Sequence, residues 1–363
     1  MAVETQLDLV RYAKTLVRAR GSIPDARSFA EAQYGQFSNI AKMLQQRMAG
    51  VVSGTDAITG DGPFANASRY FLGALQRRSL IGRIDAVSRF RHVPPHVQLL
   101  EQTSVASVWW TEEGQPIRVN DAQTFDTASL RPLRLSTVTI NTRELLAALA
   151  PESDAIAQRD LLAATALEES RSFADPESAG IDNVRPASVT YGIAPVVSSG
   201  SDAAAVASDV AQLFDGFGGS LESGVFAANP VTAARLALLG GSVAAWSTGA
   251  HGGEWLGVAF VVSEGVRPGD LLLLDPSSVW LTDSGVEVDS SEQAVVEVDD
   301  GADGTSLINL WERNLAGLRL RRYIAWRVGR PDAVRLLTGL FVSSGGDSET
   351  AATRARARRG AAA

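Results

Sequence analysis

The sequence predicts an α+β fold, and three observations predict it. Apolar residues recur at helical spacing through the first 50 residues and again over about 154–175. Segments such as 318–326 (LRLRRYIAW) alternate at strand period. Between these, from 187 to about 304, helical and strand patterns are interleaved. The chain has 363 residues, of which 45% are hydrophobic and 20% charged. That is enough for one large or two modest domains with real cores, and too apolar for a disordered chain.

In order along the chain, Leu9, Val10, Ala13, Leu16 and Val17 share a helical face. After a break at Gly21-Ser22-Ile23-Pro24, a second periodic stretch carries Phe29, Ala32, Ile40, Leu44 and Met48. Val51 to Pro63 is a linker by composition. Residues 1–57 therefore read as a small helical appendage on a hinge. Phe64 to Gln102 mixes short apolar runs with arginines and Pro94-Pro95, and reads as an arm with little regular structure. Thr103 to Trp110 alternates, 111–128 is polar, and Leu130 to Asn141 alternates again. This is a two-stranded excursion that could reach on the order of 50 Å at about 3.3 Å per residue. A compact chain of this length has a radius of gyration near 21 Å. So long a polar hairpin cannot bury itself on its own domain and should rest on a neighbouring copy.

Ser153-Asp154 opens a helix of roughly 30 Å that ends near Asp175-Pro176. Ser188 to Ala194 reads as a strand, Asp202 to Phe214 and Val231 to Leu239 as helices, the second started by Pro230. Asp270 to Leu274 is a strand. Val279 to Thr282 and Val286 to Asp289 read as two strands joined by a turn at Asp283-Ser284-Gly285, and Gln293 to Val298 as another. From Asp275 to Asp303 there are nine acidic residues and no basic one, whereas Arg313 to Arg335 holds seven arginines against Asp332. The tail from Glu349 carries four arginines among alanines.

Several chemistries are excluded. The chain has no cysteine and three histidines, so disulfides, thiolate metal sites and cysteine nucleophiles are out. His92 and His96 have helical ligand spacing, but Val93-Pro94-Pro95 forbids the helix. Gly249 to Trp255 (GAHGGEW) resembles a glycine-rich oxyanion loop, yet no G-x-S-x-G string exists. Glu112 and Glu113 are adjacent, and in an extended chain they point opposite ways. No phosphate-binding string stands in a strand-to-helix context. The expectation is no enzyme, no cofactor and no metal. No apolar run is long enough to span a membrane. The net charge of −8 argues against wrapping nucleic acid over the whole surface. Of 33 basic residues only Lys14 and Lys42 are lysines; that bias either favours interfaces or reflects a GC-rich genome.

The ordered series of VWWTEEGQP (108–116), Phe125 with LRLSTVTINTRELL (133–146), the helix 154–175, Asn229-Pro230, LDPSSVWL (274–281), SSEQAVVEV (290–298), 307–326 and RPDAV (330–334) resembles the major capsid proteins of tailed bacteriophages, of the Hong Kong 97-type fold. The resemblance covers most of the chain from about residue 58. It implies a helical scaffold-like segment at 1–57, an N-arm at 58–103, an extended loop at 104–143, a peripheral domain with spine helix at 144–187, and an axial domain at 188–305. Returning peripheral strands would lie at 306–345 and a basic tail at 346–363. It implies subunits that close into hexamers and pentamers and then an icosahedral shell around double-stranded DNA, assembled in the bacterial host cytoplasm. Portal protein, a head-maturation protease or scaffold, and a cement protein would be partners. An encapsulin-type nanocompartment shell is the alternative on the same fold.

Within this scheme Trp109, Trp110, Glu112, Glu113 and Arg118 are expected to touch a neighbour through the extended loop. Arg319, Arg321 and Arg322 are expected as inter-subunit charge contacts, facing the acidic stretch of another copy. The founding member welds its subunits through a loop lysine and an asparagine. No lysine follows Lys42 here, so that crosslink is unavailable and the contacts are non-covalent.

Overall fold

The computed structural model describes residues 8–19, 22–48, 63–102, 125–142, 151–239, 249–291, 294–299 and 305–341. The chain begins with helices α1 (Asp8–Arg18), α2 (Ile23–Tyr34) and α3 (Asn39–Met48). The second periodic stretch is thus two helices, parted at Gly35, whose φ of 93° suits glycine. Next come α4 (Pro63–Gln76) and α5 (Leu80–Val87), the latter capped by Ser79, whose hydroxyl accepts from the Gly82 N–H. The arm expected to lack regular structure is therefore helical over much of its length. Phe71, Leu75, Leu80, Ile81 and Ile84 form its inner face, and the interspersed arginines that hide this pattern in the sequence lie on the outer one.

Four strands follow: β1 (Arg91–His92), β2 (Val97–Gln102), β3 (Phe125–Leu130) and β4 (Leu133–Thr142). The long helix is α6 (Pro151–Ala174). The mixed region supplies β5 (Val196–Val197), α7 (Ala203–Asp215), β6 (Val225–Ala228), α8 (Pro230–Leu238), β7 (Gly253–Trp255), β8 (Val258–Val262) and β9 (Leu271–Leu274). A 3-10 turn at Pro276–Ser278 leads into β10 (Val279–Ser291). The remainder is β11 (Val295–Asp299), β12 (Thr305–Asn309), β13 (Leu315–Val328) and β14 (Val334–Thr338). The strand expected over 188–194 is turn, and only the two-residue β5 forms just beyond it.

Two larger sheets organise these elements. One has order β1-β10-β13-β4, the other β5-β14-β9-β6-β8-β7. The stretch expected to make two strands and a turn at 279–289 is one strand with a bulge between Asp283 and Val286. Gly285 takes φ 89° there and its N–H donates to the Asp283 carboxylate at 2.9 Å, so the Asp-Ser-Gly sequence that resembles a hairpin turn bends a continuous strand. The chain leaves the six-stranded sheet at Asp275–Ser278 and returns at Gly329–Ala333. β10–β13 lie between those two points, and β14 pairs with β9 in the six-stranded sheet.

The two crossings sit side by side. Asp275 N–H donates to Ala333 O at 3.0 Å and Gly329 N–H to Ser278 O at 2.9 Å. The buried Asp275 carboxylate accepts from Ser277 N and Oγ, Ser220 N and Ser223 Oγ. Burial alone would raise its pKa, but these hydrogen bonds hold it below the usual aspartate value.

Three larger apolar cores result among the described residues. One lies between α7, α8 and a face of the six-stranded sheet, centred on Phe226, Trp255 and Phe260. The second joins both sheets through α5 and the end of α6, where Phe173 meets Phe90 and Trp326 edge-to-face. The third is shared by α1–α4, α6, β10 and β13. Residues 8–48, read as an appendage, are part of that core.

Candidate assembly interface

The hairpin that leaves the body is built from β2 and β3, in antiparallel register from Val97↔Leu130 to Gln102↔Phe125. Its stem starts at Val97, before the expected boundary at 103. The expected second limb is divided: Arg131-Pro132 separates β3 from β4, and β4 runs along β13 from Leu133↔Ile324 to Thr142↔Leu315. Pro132 cannot donate to a ladder, which favours a break there. The root is anchored by a small core of Leu130, Trp280 and Ala325, with Val93, Val97 and Leu133 against it. Beyond this root and its contact with β13, no substantial packing joins β2 or β3 to another element among the described residues. The residues expected to meet a neighbour, Trp109, Trp110, Glu112, Glu113 and Arg118, lie outside the described residues, as does the basic tail.

The arginine-rich strand behaves differently from expectation. β10 and β13 are antiparallel neighbours within one protomer, and their register places Val286 opposite Arg322, Glu287 opposite Arg321 and Asp289 opposite Arg319. Three of the nine acids, Asp283, Glu287 and Asp289, thus meet the basic stretch inside the same sheet. Arg321 Nη2 lies 3.2 Å from Glu287 Oε2, which also accepts from the Tyr323 hydroxyl. Arg319 is exposed on the same strand.

Arg322 is 1% exposed. Both its terminal nitrogens donate to the Asp283 carboxylate, one also to Gly285 O, and its Nε donates to Glu169 Oε2 at 3.3 Å. Burial pushes the Glu169 carboxyl above its ordinary value, with Arg322 only partly opposing it. Asp283 is also desolvated, but Arg322 outweighs that and holds it low. Arg322 ties the long helix α6 to the sheet, so the charge expected to face a neighbour is buried against carboxylates of its own protomer. A sequence signal for this existed. Leu320, Arg322, Ile324 and Trp326 share a strand face, and all four are buried.

Two further surfaces escaped sequence reasoning. Among the described residues the β11–β12 ribbon pairs only with itself, and it presents Val295 and Leu307, 60% and 75% exposed, near Trp311 at 71%. In sequence these alternating residues look like any sheet strand. The other surface is an open groove of about 1180 Å³ between the α4–α5 turn, α6 and β8, lined by Arg77, Arg78, Arg83, His251 and Leu167. Its guanidinium groups meet carbonyls: Arg83 donates to Arg77 O and Val262 O, and Arg78 to Arg159 O. Among the described residues no group of three or more metal-ligating side chains forms, and no helix is long and apolar enough to cross a membrane.

No family model matches the chain. It is 30% identical over 365 aligned positions to the "Capsid polyprotein" of Pseudomonas phage PAJU2. The alignment covers 93% of this chain and 54% of that protein, so the chain spans about half the length of the curated relative it matches. Among solved structures, a chain of Mycobacterium phage Adephagia superimposes with a TM-score of 0.50 at 14% identity, covering 70% of this chain and 89% of that one. A chain of Microbacterium phage Oxtober96 does so with a TM-score of 0.50 at 16% identity, covering 72% and 91%. The fold is of the Hong Kong 97 type.

Proposed function

We propose that this chain, a Hong Kong 97-type fold aligned along 93% of its length with a phage capsid polyprotein, is a major capsid protein. That alignment is the observation carrying the reading. Copies close into hexamers and pentamers through heterologous contacts, and these capsomers close into an icosahedral shell. The six-stranded domain surrounds the capsomer axes. The four-stranded sheet with α6 forms the periphery, and the hairpin rooted at Leu130 and Val97 reaches across to the next subunit. Trp109, Trp110, Glu112, Glu113 and Arg118 extend that contact, Arg319 and Arg321 lie on the adjoining strand, and the ribbon bearing Trp311 adds a second projecting surface. Each contact is weak, and their sum over several neighbours holds the particle while misplaced subunits can leave.

The role is structural, without catalysis or a cofactor. The shell's location is the virion capsid, filled in the host cytoplasm with double-stranded DNA. A net negative wall suits DNA packed at high density without being gripped. A portal, a head-maturation protease or scaffold, and a cement protein complete the set of partners. The encapsulin reading is not favoured, since the relative aligned over nearly the whole chain is a phage capsid polyprotein. Negative-stain microscopy and light scattering of purified protein test the proposal. Capsomers and uniform closed particles are expected; a stable lone protomer at every concentration would refute it.

A further inference from the structure

We infer that the N-terminal segment 8–48 is a permanently docked partner of the face formed by α4, α6, β10 and β13, which stays seated there when the chain is severed between 49 and 62. Only the consequence rests on the capsid reading: the segment remains in the finished particle instead of leaving as a removable scaffold.

The shared core carries the argument. The segment contributes Leu9, Tyr12, Leu16, Ile40, Met43 and Leu44, each at most 5% exposed. The body contributes Phe71, Leu75, Leu161, Val286, Val288 and Leu320. Among the described residues these side chains bury one another in a single cluster, so removing the segment would lay open a contiguous apolar face across two helices and two strands. Soluble proteins seldom tolerate such a face unless a partner takes it. Helix α1 lies against β10, α4 and α6, and α3 against α4; the segment therefore spans several elements of the body and does not rest on one edge.

The segment is also organised to dock as a unit. Arg11 stacks over the Tyr34 ring at 5.5 Å and Arg18 over Phe29 at 4.9 Å, tying α1 to α2. Asn39 Nδ2 donates to the buried Asp8 carboxylate at 3.0 Å, tying α3 to α1. Lys14 is likewise buried. A scaffold destined to leave would be expected to present a polar, weakly held face to the body. This one presents its most apolar face.

The test is to insert a specific protease site within 51–60 of the full chain, cut after assembly, and sediment the particles. The expected result is that the N-terminal fragment travels with the body and is released only by denaturant. In a second variant carrying Leu44→Asp as well, the cut fragment is expected to dissociate under native conditions. Loss of the unsubstituted fragment on cutting would overturn the inference, as would equally firm retention of the Leu44→Asp fragment. If no particles form, the capsid reading fails by itself, and co-elution of the two pieces on size exclusion still decides the docking.

Discussion

Replacing Arg322 by methionine isolates the buried charge network from packing, because methionine keeps most of the side-chain volume. The perturbation leaves Glu169, with 2% of its side chain exposed, and Asp283, with 15%, facing each other without a cation. Removing one partner from a buried ionic network typically costs about 3–5 kcal/mol. Protonation gives the same sign: without the guanidinium, one carboxyl escapes the repulsion by taking up a proton, which costs free energy at neutral pH. The sign with pH is defined. In the parent, Asp283 has a lowered pKa, so its contribution is present above its unfolded value and is lost as pH falls through the folded one. In the variant both carboxyls have raised pKa values, so stability is lost as pH rises through their unfolded values and recovered in acid. The two curves therefore converge in acid, where the variant's deficit shrinks to about 1–2 kcal/mol of unmet hydrogen bonds. Urea unfolding of unassembled protein, followed by tryptophan fluorescence at several pH values, measures this. Adding Glu169→Gln and Asp283→Asn should restore most of the loss at pH 7. A deficit below about 1 kcal/mol at pH 7, or one that does not shrink in acid, refutes the account of Arg322 as the internal counter-charge.

The buried Asp270 carboxyl is pushed up to about 6, chiefly by burial, with Asp175 adding to the rise and Arg267 opposing it. Its folded state favours the proton, so wild-type stability declines between about pH 4 and 6; Asp270→Asn should flatten that decline and raise stability at pH 7 by up to about 3 kcal/mol, and a thermal-melt series showing the same slope in both proteins would reject it. A methyl group at Gly265 would collide with Ser170 Cβ and approach Arg171 N to 2.8 Å, so Gly265→Ala should cost about 1–3 kcal/mol in urea unfolding, and a neutral result would mean that α6 and the β8–β9 loop yield there. Trp109→Ala and Trp110→Ala should raise the critical concentration for particle formation by roughly 30-fold where the ring anchors a neighbour. Light scattering reads that change, and unaltered assembly in both variants would remove the pair from the interface.

Sequence pattern alone was enough for α6, α7, α8 and β13, whose buried faces recur at a regular period, and for β9, a run of four buried leucines, because neither signal needs knowledge of a partner. The absence of cysteine and of a nucleophile motif likewise excluded chemistries without any coordinates. Pairing was another matter. Leu133–Thr142 reads as the return limb of a hairpin, and Asp283-Ser284-Gly285 as a turn. β13 takes the first as a sheet neighbour and bulges the second, since an edge strand gains more by completing a ladder than by standing alone. The arginines of 313–335 and the acids of 275–303 are equally visible in one dimension. Which of them cancel inside a protomer depends on β10 lying next to β13, a long-range contact with no local signature. The same holds for residues 8–48: their amphipathic helices advertise an apolar face, but only the folded chain supplies the helices and strands that cover it.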